Sequence, residues 1–244
     1  MSGKDWSGFP MLGFDLETTG VDTSQDRVVS AALVYIRRGH RPATTTWLAN
    51  PGIDIPEGAT EVHGITTEHA RNHGRDPATI LFELTGRLAL SLTRGIPVVG
   101  FNIAYDLTLL EHENHRHGID TLASRLGGHG KIQPIIDPHV LDKWADPYRK
   151  GGRTLTKVCD HYSVRHTGAH DAAGDALAAC RLFPKVMAAH ARKFPGMTLP
   201  GLHQAQVGWR REQADSLRAY FDKAGIEHDG IPGDWPTIPM SVSA

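Results

Sequence analysis

Met11-Leu12-Gly13-Phe14-Asp15-Leu16-Glu17-Thr18-Thr19-Gly20 reads as a buried β-strand that ends in acids and a turn. Side chains alternate along a strand, so Asp15 and Glu17 share one face. Two like charges at the end of a buried strand are costly unless water or a cation compensates them. Taken alone, D-x-E is only a strand end emerging into solvent, and its meaning rests on what the rest of the chain brings to it. Downstream, Arg27 to Ile36 and Thr44 to Leu48 read as two more strands, separated by Gly39 and Pro42. A Pro/Gly-rich loop is expected from Asn50 to Thr66. Asp76 and Pro77 then open a helix to about Leu92, with Leu81, Leu84, Leu88 and Leu92 at helical spacing. Strands follow at Ile96 to Phe101 and Ile132 to Ile136. Helices are expected over about 102–116, capped by Asn102, and over about 138–144, 155–162 and 172–190. Three successive strands followed by strand–helix alternation predict an α/β domain: a mixed five-stranded sheet with an antiparallel start and helices on both faces.

Two further acids change the reading of Asp15 and Glu17. Asp106 lies in the first turn of the helix after Ile96 to Phe101, among residues expected to be buried. Asp175 lies in an Ala-rich helix, five residues after His170. At 100° per residue the two would point apart on one helix, so His170 reaches a shared site only from the preceding loop, which Gly168 and an Asp171 cap permit. Asp15, Glu17, Asp106 and Asp175 could therefore meet at one end of the sheet. An all-oxygen set of this kind suits Mg²⁺ or Mn²⁺ rather than zinc. Two such ions can activate water and stabilise a leaving oxygen in phosphodiester cleavage. A histidine at the edge can take the proton from the attacking water.

These residues, in order, resemble the DnaQ-like DEDDh 3′–5′ exonucleases, including the proofreading epsilon subunits of bacterial DNA polymerase III. The first motif stands as Phe14-Asp15-Leu16-Glu17-Thr18-Thr19-Gly20, the second as Val99 to Asp106 (VGFNIAYD), and the third as His170-x4-Asp175. A Tyr four before the last Asp would mark the DEDDy branch instead. Val62-His63-Gly64-Ile65-Thr66 resembles the family's H-G-I-T segment. Ile136-Asp137 resembles its D-T element, with Pro138 in place of Thr, and Asp137 reads equally as a helix cap. The resemblance spans about residues 9 to 190 and implies a ribonuclease H-like fold. It implies that Asp15, Glu17 and Asp175 hold one metal ion, that Asp15 touches a second, and that Asp106 acts through coordinated waters, with His170 as general base. It further implies that the amides around Leu16 and Thr18 meet the 3′-terminal nucleotide, that His63 and Ile65 line its pocket, and that Asn102 supports the site. The expected activity is hydrolysis of single-stranded or frayed 3′ DNA ends to nucleoside 5′-monophosphates, in proofreading or repair. RNA trimming on the same fold and a noncatalytic nucleic-acid-binding module are the alternatives.

The 244 residues carry 26 Lys and Arg against 27 Asp and Glu, a net charge of −1 with His neutral. That balance argues against a generally basic nucleic-acid binder, though not against local contacts. Arg116 to Arg165 holds an excess of positive charge, concentrated in Arg149, Lys150 and Arg153, and reads either as a solvated loop or as a phosphate-tracking surface. Two cysteines, Cys159 and Cys180, make no disulfide framework, and the start MSGKDWSGFPM has no apolar core of signal-peptide length. A cytoplasmic protein without membrane association is the expectation. His112, His115 and His117 read as a solvated helix face rather than a zinc site, and Gly127 to Lys131 as a loop without P-loop spacing. Residues 191–244 are expected to form a helical extension, one helix over His203 to Lys223 and then a Pro-rich tail, extended or frayed. This helix is expected to pack back on the domain, and a polymerase partner for it stays open.

Overall fold

The computed structural model describes residues 5–228 and 230–240. Of the two terminal stretches read from the sequence, residues 1–4 and 241–244 therefore lie outside the described residues. The sheet has five strands, β1 (Met11–Thr18), β2 (Val28–Ile36), β3 (Ala43–Leu48), β4 (Val98–Val99) and β5 (Ile135–Ile136), in the order β3-β2-β1-β4-β5. β1 pairs antiparallel with β2, and β2 with β3. β4 and β5 run parallel to β1, as strands reached through helical crossovers do. The expected mixed sheet with an antiparallel start is thus the observed one. β4 and β5 are shorter than the apolar runs that signalled them.

Alternation along β1 sorts its side chains into two layers. Leu12, Phe14 and Leu16 join one core with α3 (Pro77–Thr93), α4 (Ala104–Arg116) and α5 (Leu122–Leu126). Met11 joins the other, with α6 (Pro138–Ala145), α7 (Leu155–His161) and α8 (Ala172–Ala189). Gly13, Asp15 and Glu17 share that second face. α8 crosses it closely: a Cβ on Gly13 would stand 2.6 Å from the Ala176 carbonyl and 2.9 Å from Cys180 Sγ. The glycine and the alanines of α8 therefore set the approach that carries Asp175 up to Asp15 and Glu17.

The region expected to be loop, Asn50 to Thr66, contains a short helix, α1 (Glu57–His63), and a second, α2 (Thr67–His73), follows it. Asn102 does not cap α4. Its φ is +59° and its backbone N–H donates to Asp137, while Ile103 occupies the cap position. Asn is one of the few residues that tolerate this left-handed turn.

The C-terminal helix, α9 (Leu199–Ala224), is longer than expected and lies along the edge strand β5. Its buried polar side chains complete that edge. The Ile135 N–H donates to His203 Nδ1, the Asp137 N–H to Gln206 Oε1, and Gln206 Nε2 donates to the Ile135 carbonyl. Gln206 is fully buried. The tail expected to be extended or frayed is folded back through residue 240. Trp235 and Thr237 are buried, Trp235 lies against the His203 ring, and the Ile238 N–H donates to Thr108 Oγ1. No helix among the described residues is long and apolar enough to cross a membrane.

Candidate active site

β1 delivers Asp15 and Glu17 to the end of the sheet at which β1, β4 and β5 all terminate. α8 delivers Asp175 from its first turn, capped by the Asp171 side chain on the Gly174 N–H. One oxygen from each of Asp15, Glu17 and Asp175 lies within 4.8 Å of the others. Among the described residues no other group of three or more His, Cys, Asp or Glu comes together this tightly, the His112, His115 and His117 run included. Asp106 stands beside this trio on the first turn of α4, buried, with Oδ1 accepting the Leu16 N–H at 3.0 Å.

The electrostatics mark the trio as uncompensated. No Lys or Arg pairs with Asp15, Glu17, Asp106 or Asp175 among the described residues. Burial, then repulsion from Asp106, Asp175 and Glu17, holds the Asp15 carboxyl well above the usual carboxylate range. Burial and the charges of Asp175 and Asp171 push Glu17 up to about 7. Asp106 is likewise raised, mainly by burial, although the Leu16 amide opposes the shift. Largely buried carboxylates that no Lys or Arg pairs among the described residues, offering only oxygen donors, fit a hard divalent cation, which would relieve both the repulsion and the desolvation cost.

His170 sits on the loop before α8, exposed, with a left-handed φ of +63°. His63 ends α1, and its Nδ1 accepts the Ile65 N–H. Its Nε2 is buried, and burial together with the nearby His170 pulls the ring below its usual range, with the Thr18 backbone opposing. Ile65 packs with Ile55 and Ala70. Thr18 Oγ1 is shared between the Gly20 carbonyl and the Tyr105 hydroxyl. The Leu16 amide, expected to meet the terminal nucleotide, instead donates to Asp106. Asp137 caps α6 through the His139 N–H, as its cap reading expects, and also accepts the Asn102 and Ile103 amides. Burial pushes it up to about 6.

Sequence reading missed one residue. His166 Nε2 lies 2.6 Å from Asp175 Oδ1, with the histidine side chain 5% and the aspartate side chain 14% exposed. Its only signal was a second histidine four residues before His170. The basic cluster also resolves differently from its surface reading. Arg149 and Arg153 both clasp the buried Asp142, to which the Tyr162 hydroxyl also donates. Two of the three cations are therefore structural, and only Lys150 is exposed. Cys159 is fully buried and pushed by burial up to about 11, an inert thiol.

Three carboxylates gathered at one end of a mixed, helix-flanked sheet are the arrangement that the sequence motifs led us to expect. Residues 12–183 match the RNase_T exonuclease family, and the chain belongs to it. It is 26% identical over 205 residues to the PolC-type DNA polymerase III of Lacticaseibacillus paracasei, covering 84% of this chain and 13% of that protein. It is 24% identical over 220 residues to the 3′–5′ exonuclease DinG of Bacillus subtilis, covering 90% and 22%. An epsilon-like DNA polymerase III protein of Rhodobacter capsulatus is 29% identical over 184 residues, covering 72% and 24%. The chain thus spans about a quarter or less of the length of these relatives. Its fold is that of exonuclease I of E. coli: a zinc-bound complex of that enzyme with single-stranded DNA superposes with a TM-score of 0.63 at 18% identity, over 87% of this chain and 45% of the other.

Proposed function

We propose that this protein is a metal-dependent 3′–5′ exonuclease of the DEDDh type. Its substrate would be single-stranded or frayed DNA, and it would act in proofreading or repair alongside other proteins in the cytoplasm. Residues 9–190 would form the exonuclease unit and 191–244 its helical extension. The observation that carries the reading is the convergence of Asp15, Glu17 and Asp175, with Asp106 beside them. DNA is favoured over RNA because the polymerase and DinG relatives cover most of this chain.

Two divalent ions, Mg²⁺ or Mn²⁺, would supply Lewis acidity at the scissile phosphate and lower the pKa of the attacking water. Asp15, Glu17 and Asp175 would hold them, with Asp106 acting through water. His170, on its exposed loop, takes the proton of that water as oxygen attacks phosphorus. The bond from phosphorus to the 3′-oxygen of the preceding nucleotide breaks, and that oxygen gains a proton. A nucleoside 5′-monophosphate leaves, and the shortened strand keeps a 3′-hydroxyl. The buried Nε2 of His63 offers a polar contact in the wall of the terminal-nucleotide pocket, next to Ile65 and the Thr18 backbone.

The test is degradation of 5′-labelled DNA and RNA oligonucleotides, side by side, with Mg²⁺ or Mn²⁺. Wild-type protein shortens DNA from the 3′ end and Asp15→Ala does not. Intact 3′ ends on both substrates would overturn the activity. An Ala variant as active as wild type would overturn the site.

A further inference from the structure

Met11, where β1 begins, pairs with Ile36, where β2 ends, so the turn from β2 to β3 lies at the end of the sheet away from the carboxylates. β3 is the edge strand there and pairs with β2. The Ala49 N–H donates to the Val29 carbonyl, which fixes the phase of the ladder. Trp47, Thr45 and Ala43 turn their backbone groups toward β2, and Leu48, Thr46 and Thr44 turn theirs outward. Leu48 is covered, because its carbonyl accepts the Arg75 N–H. The outward N–H and C=O groups of Thr44 and Thr46 meet no strand among the described residues. An open edge of this kind is a template for a further strand.

Beside that edge, the sheet and α3 enclose a groove of about 390 Å³. Leu12, Leu33 and Ile96 give it an aliphatic floor, and Leu90, 49% exposed, stands at its side. Arg87 and Arg94 line it from α3, both exposed, and no acid lines it. Arg87 reaches across to β3, with Thr45 Oγ1 at 3.5 Å and the Trp47 ring centre 5.6 Å from its guanidinium carbon. Neither arginine has an ion pair among the described residues. Glu83, one turn before Arg87, is already held by Arg75 and by the Trp47 indole N–H. The β2–β3 turn adds Arg37, Arg38 and Arg41, all exposed, of which Arg38 meets Asp5 at 3.6 Å. A positive rim around an aliphatic floor complements a chain that mixes carboxylates with aliphatic side chains. The open edge decides between a peptide and a nucleic acid. A peptide supplies both N–H and C=O at strand spacing, whereas the sugar–phosphate backbone of DNA has no donor for the Thr44 and Thr46 carbonyls. Tyr35 is moreover the one aromatic ring on the lining, too few for a run of stacked bases.

We propose that β3 and the β3–α3 groove dock an extended acidic segment of a partner protein. The segment adds as a strand against Thr44 and Thr46, sets an aliphatic side chain against Leu90 and places carboxylates on Arg87 and Arg94. Leu12 lies on the α3 face of β1, and Asp15 and Glu17 on the α8 face, so a docked segment leaves the carboxylate cluster free. The docking therefore stands apart from the exonuclease reading.

The experiment uses the full chain and fluorescence anisotropy of a labelled synthetic peptide of about twelve residues that repeats Asp-Asp-Ile-Val. Each face of that peptide, extended, alternates acid and aliphatic. A control peptide carries Lys in place of Asp. Wild type binds the acidic peptide and not the basic one. Arg87→Glu/Arg94→Glu weakens the acidic peptide by about tenfold or more, because attraction becomes repulsion. Leu90→Asp, at a half-exposed side chain, weakens it several-fold. Thr46→Pro removes an outward N–H that the ladder does not use and weakens it likewise. Unfolding midpoints in urea, measured alongside, show that the variants stay folded. No saturation up to about 1 mM peptide, the weak end of usable affinity, would overturn the proposal, as would wild-type affinity in the arginine variant. Oligo-dT that binds wild type more tightly than the peptide and is lost in the same variant would overturn it in favour of nucleic acid. A wild-type dimer in sedimentation that Leu90→Asp dissolves would overturn it in favour of a second copy. Cleavage plays no part in these readouts, so failure of the docking and failure of the exonuclease reading are told apart.

Discussion

Replacing His166 by Ala removes the one protein partner of the Asp175 carboxylate among the described residues. The contact is short, 2.6 Å, and nearly dry, with the imidazole only 5% exposed. With Nε2 carrying the proton, the ring donates to Oδ1, fixes the carboxylate plane and leaves Oδ2 for a cation. Nδ1 then faces the Thr156 hydroxyl at 3.4 Å. A hydrogen bond to a charged group is worth about 1.5–3 kcal/mol. Outer-shell partners of metal ligands typically contribute about 10–100-fold in metal affinity, or about 1.4–2.7 kcal/mol, and the two ranges agree. His166→Ala should therefore weaken Mn²⁺ binding by about 10–100-fold, read by calorimetry without substrate. His166→Gln, which can place an N–H near the same oxygen, should recover part of the loss. His170→Ala should abolish cleavage while binding Mn²⁺ as wild type does. Unchanged Mn²⁺ affinity in His166→Ala would refute this role, and tighter binding would show instead that the histidine competes with the metal.

Two further outcomes follow from the site. Glu17 titrates at about 7 in the folded metal-free protein, against an ordinary 4.5, so the folded state holds the proton more tightly than the unfolded one. The associated stability is full below pH 4.5 and lost as pH rises through 7. Added Mg²⁺ must displace that proton, so the gain in Tm on adding Mg²⁺ should be larger at pH 8 than at pH 6; equal gains would contradict it. Gly13→Ala places a Cβ 2.6 Å from the Ala176 carbonyl, where only backbone movement relieves the clash. It should cost about 1–3 kcal/mol in denaturant unfolding and reduce cleavage by displacing α8 with Asp175, and an unchanged unfolding midpoint would refute the close-approach reading.

The parts of this site that the sequence displayed are those whose chemistry is local. Asp15 and Glu17 alternate on one strand, Asp106 follows a short buried strand, and His170 precedes its helix by a glycine-containing loop. Each is visible as a pattern within a few residues. What stayed hidden depends on partners at a distance. α1 and α2 are seven residues each, within a stretch punctuated by Pro51, Pro56, Gly58 and Gly64, where a seven-residue helix leaves little periodicity to detect. The basic run around Arg149 looked like surface because its anion, Asp142, lies seven and eleven residues away and is buried. His166 reaches Asp175 across a loop whose path no local propensity fixes. Along α9, Val207, Ala214, Leu217 and Phe221 stand on roughly one side. Its buried face is instead Leu202, His203, Gln206 and Ala214, half of it polar. Hydrophobic periodicity cannot report a helix whose task is to hydrogen-bond a strand.

That task ties the extension to the chemistry. An edge strand presents unpaired backbone groups that must be covered or solvated. On β5 the cover is His203 and Gln206, and Gln206 also receives the N–H of Asp137. Asp137 in turn accepts the two amides that lead into α4. α4 carries Asp106, whose carboxylate takes the Leu16 N–H between Asp15 and Glu17. An unbroken run of buried hydrogen bonds and one helical turn therefore links α9 to the strand that bears two of the three clustered acids. Each link is a buried polar group whose loss costs about 1–3 kcal/mol and leaves its partner unmet. The helix that the family match excludes thus restrains the geometry on which the match's own motifs depend. A change in α9 that leaves every acid in place is felt at Asp106 first, because the two amides that Asp137 holds lead directly into the helix that carries Asp106.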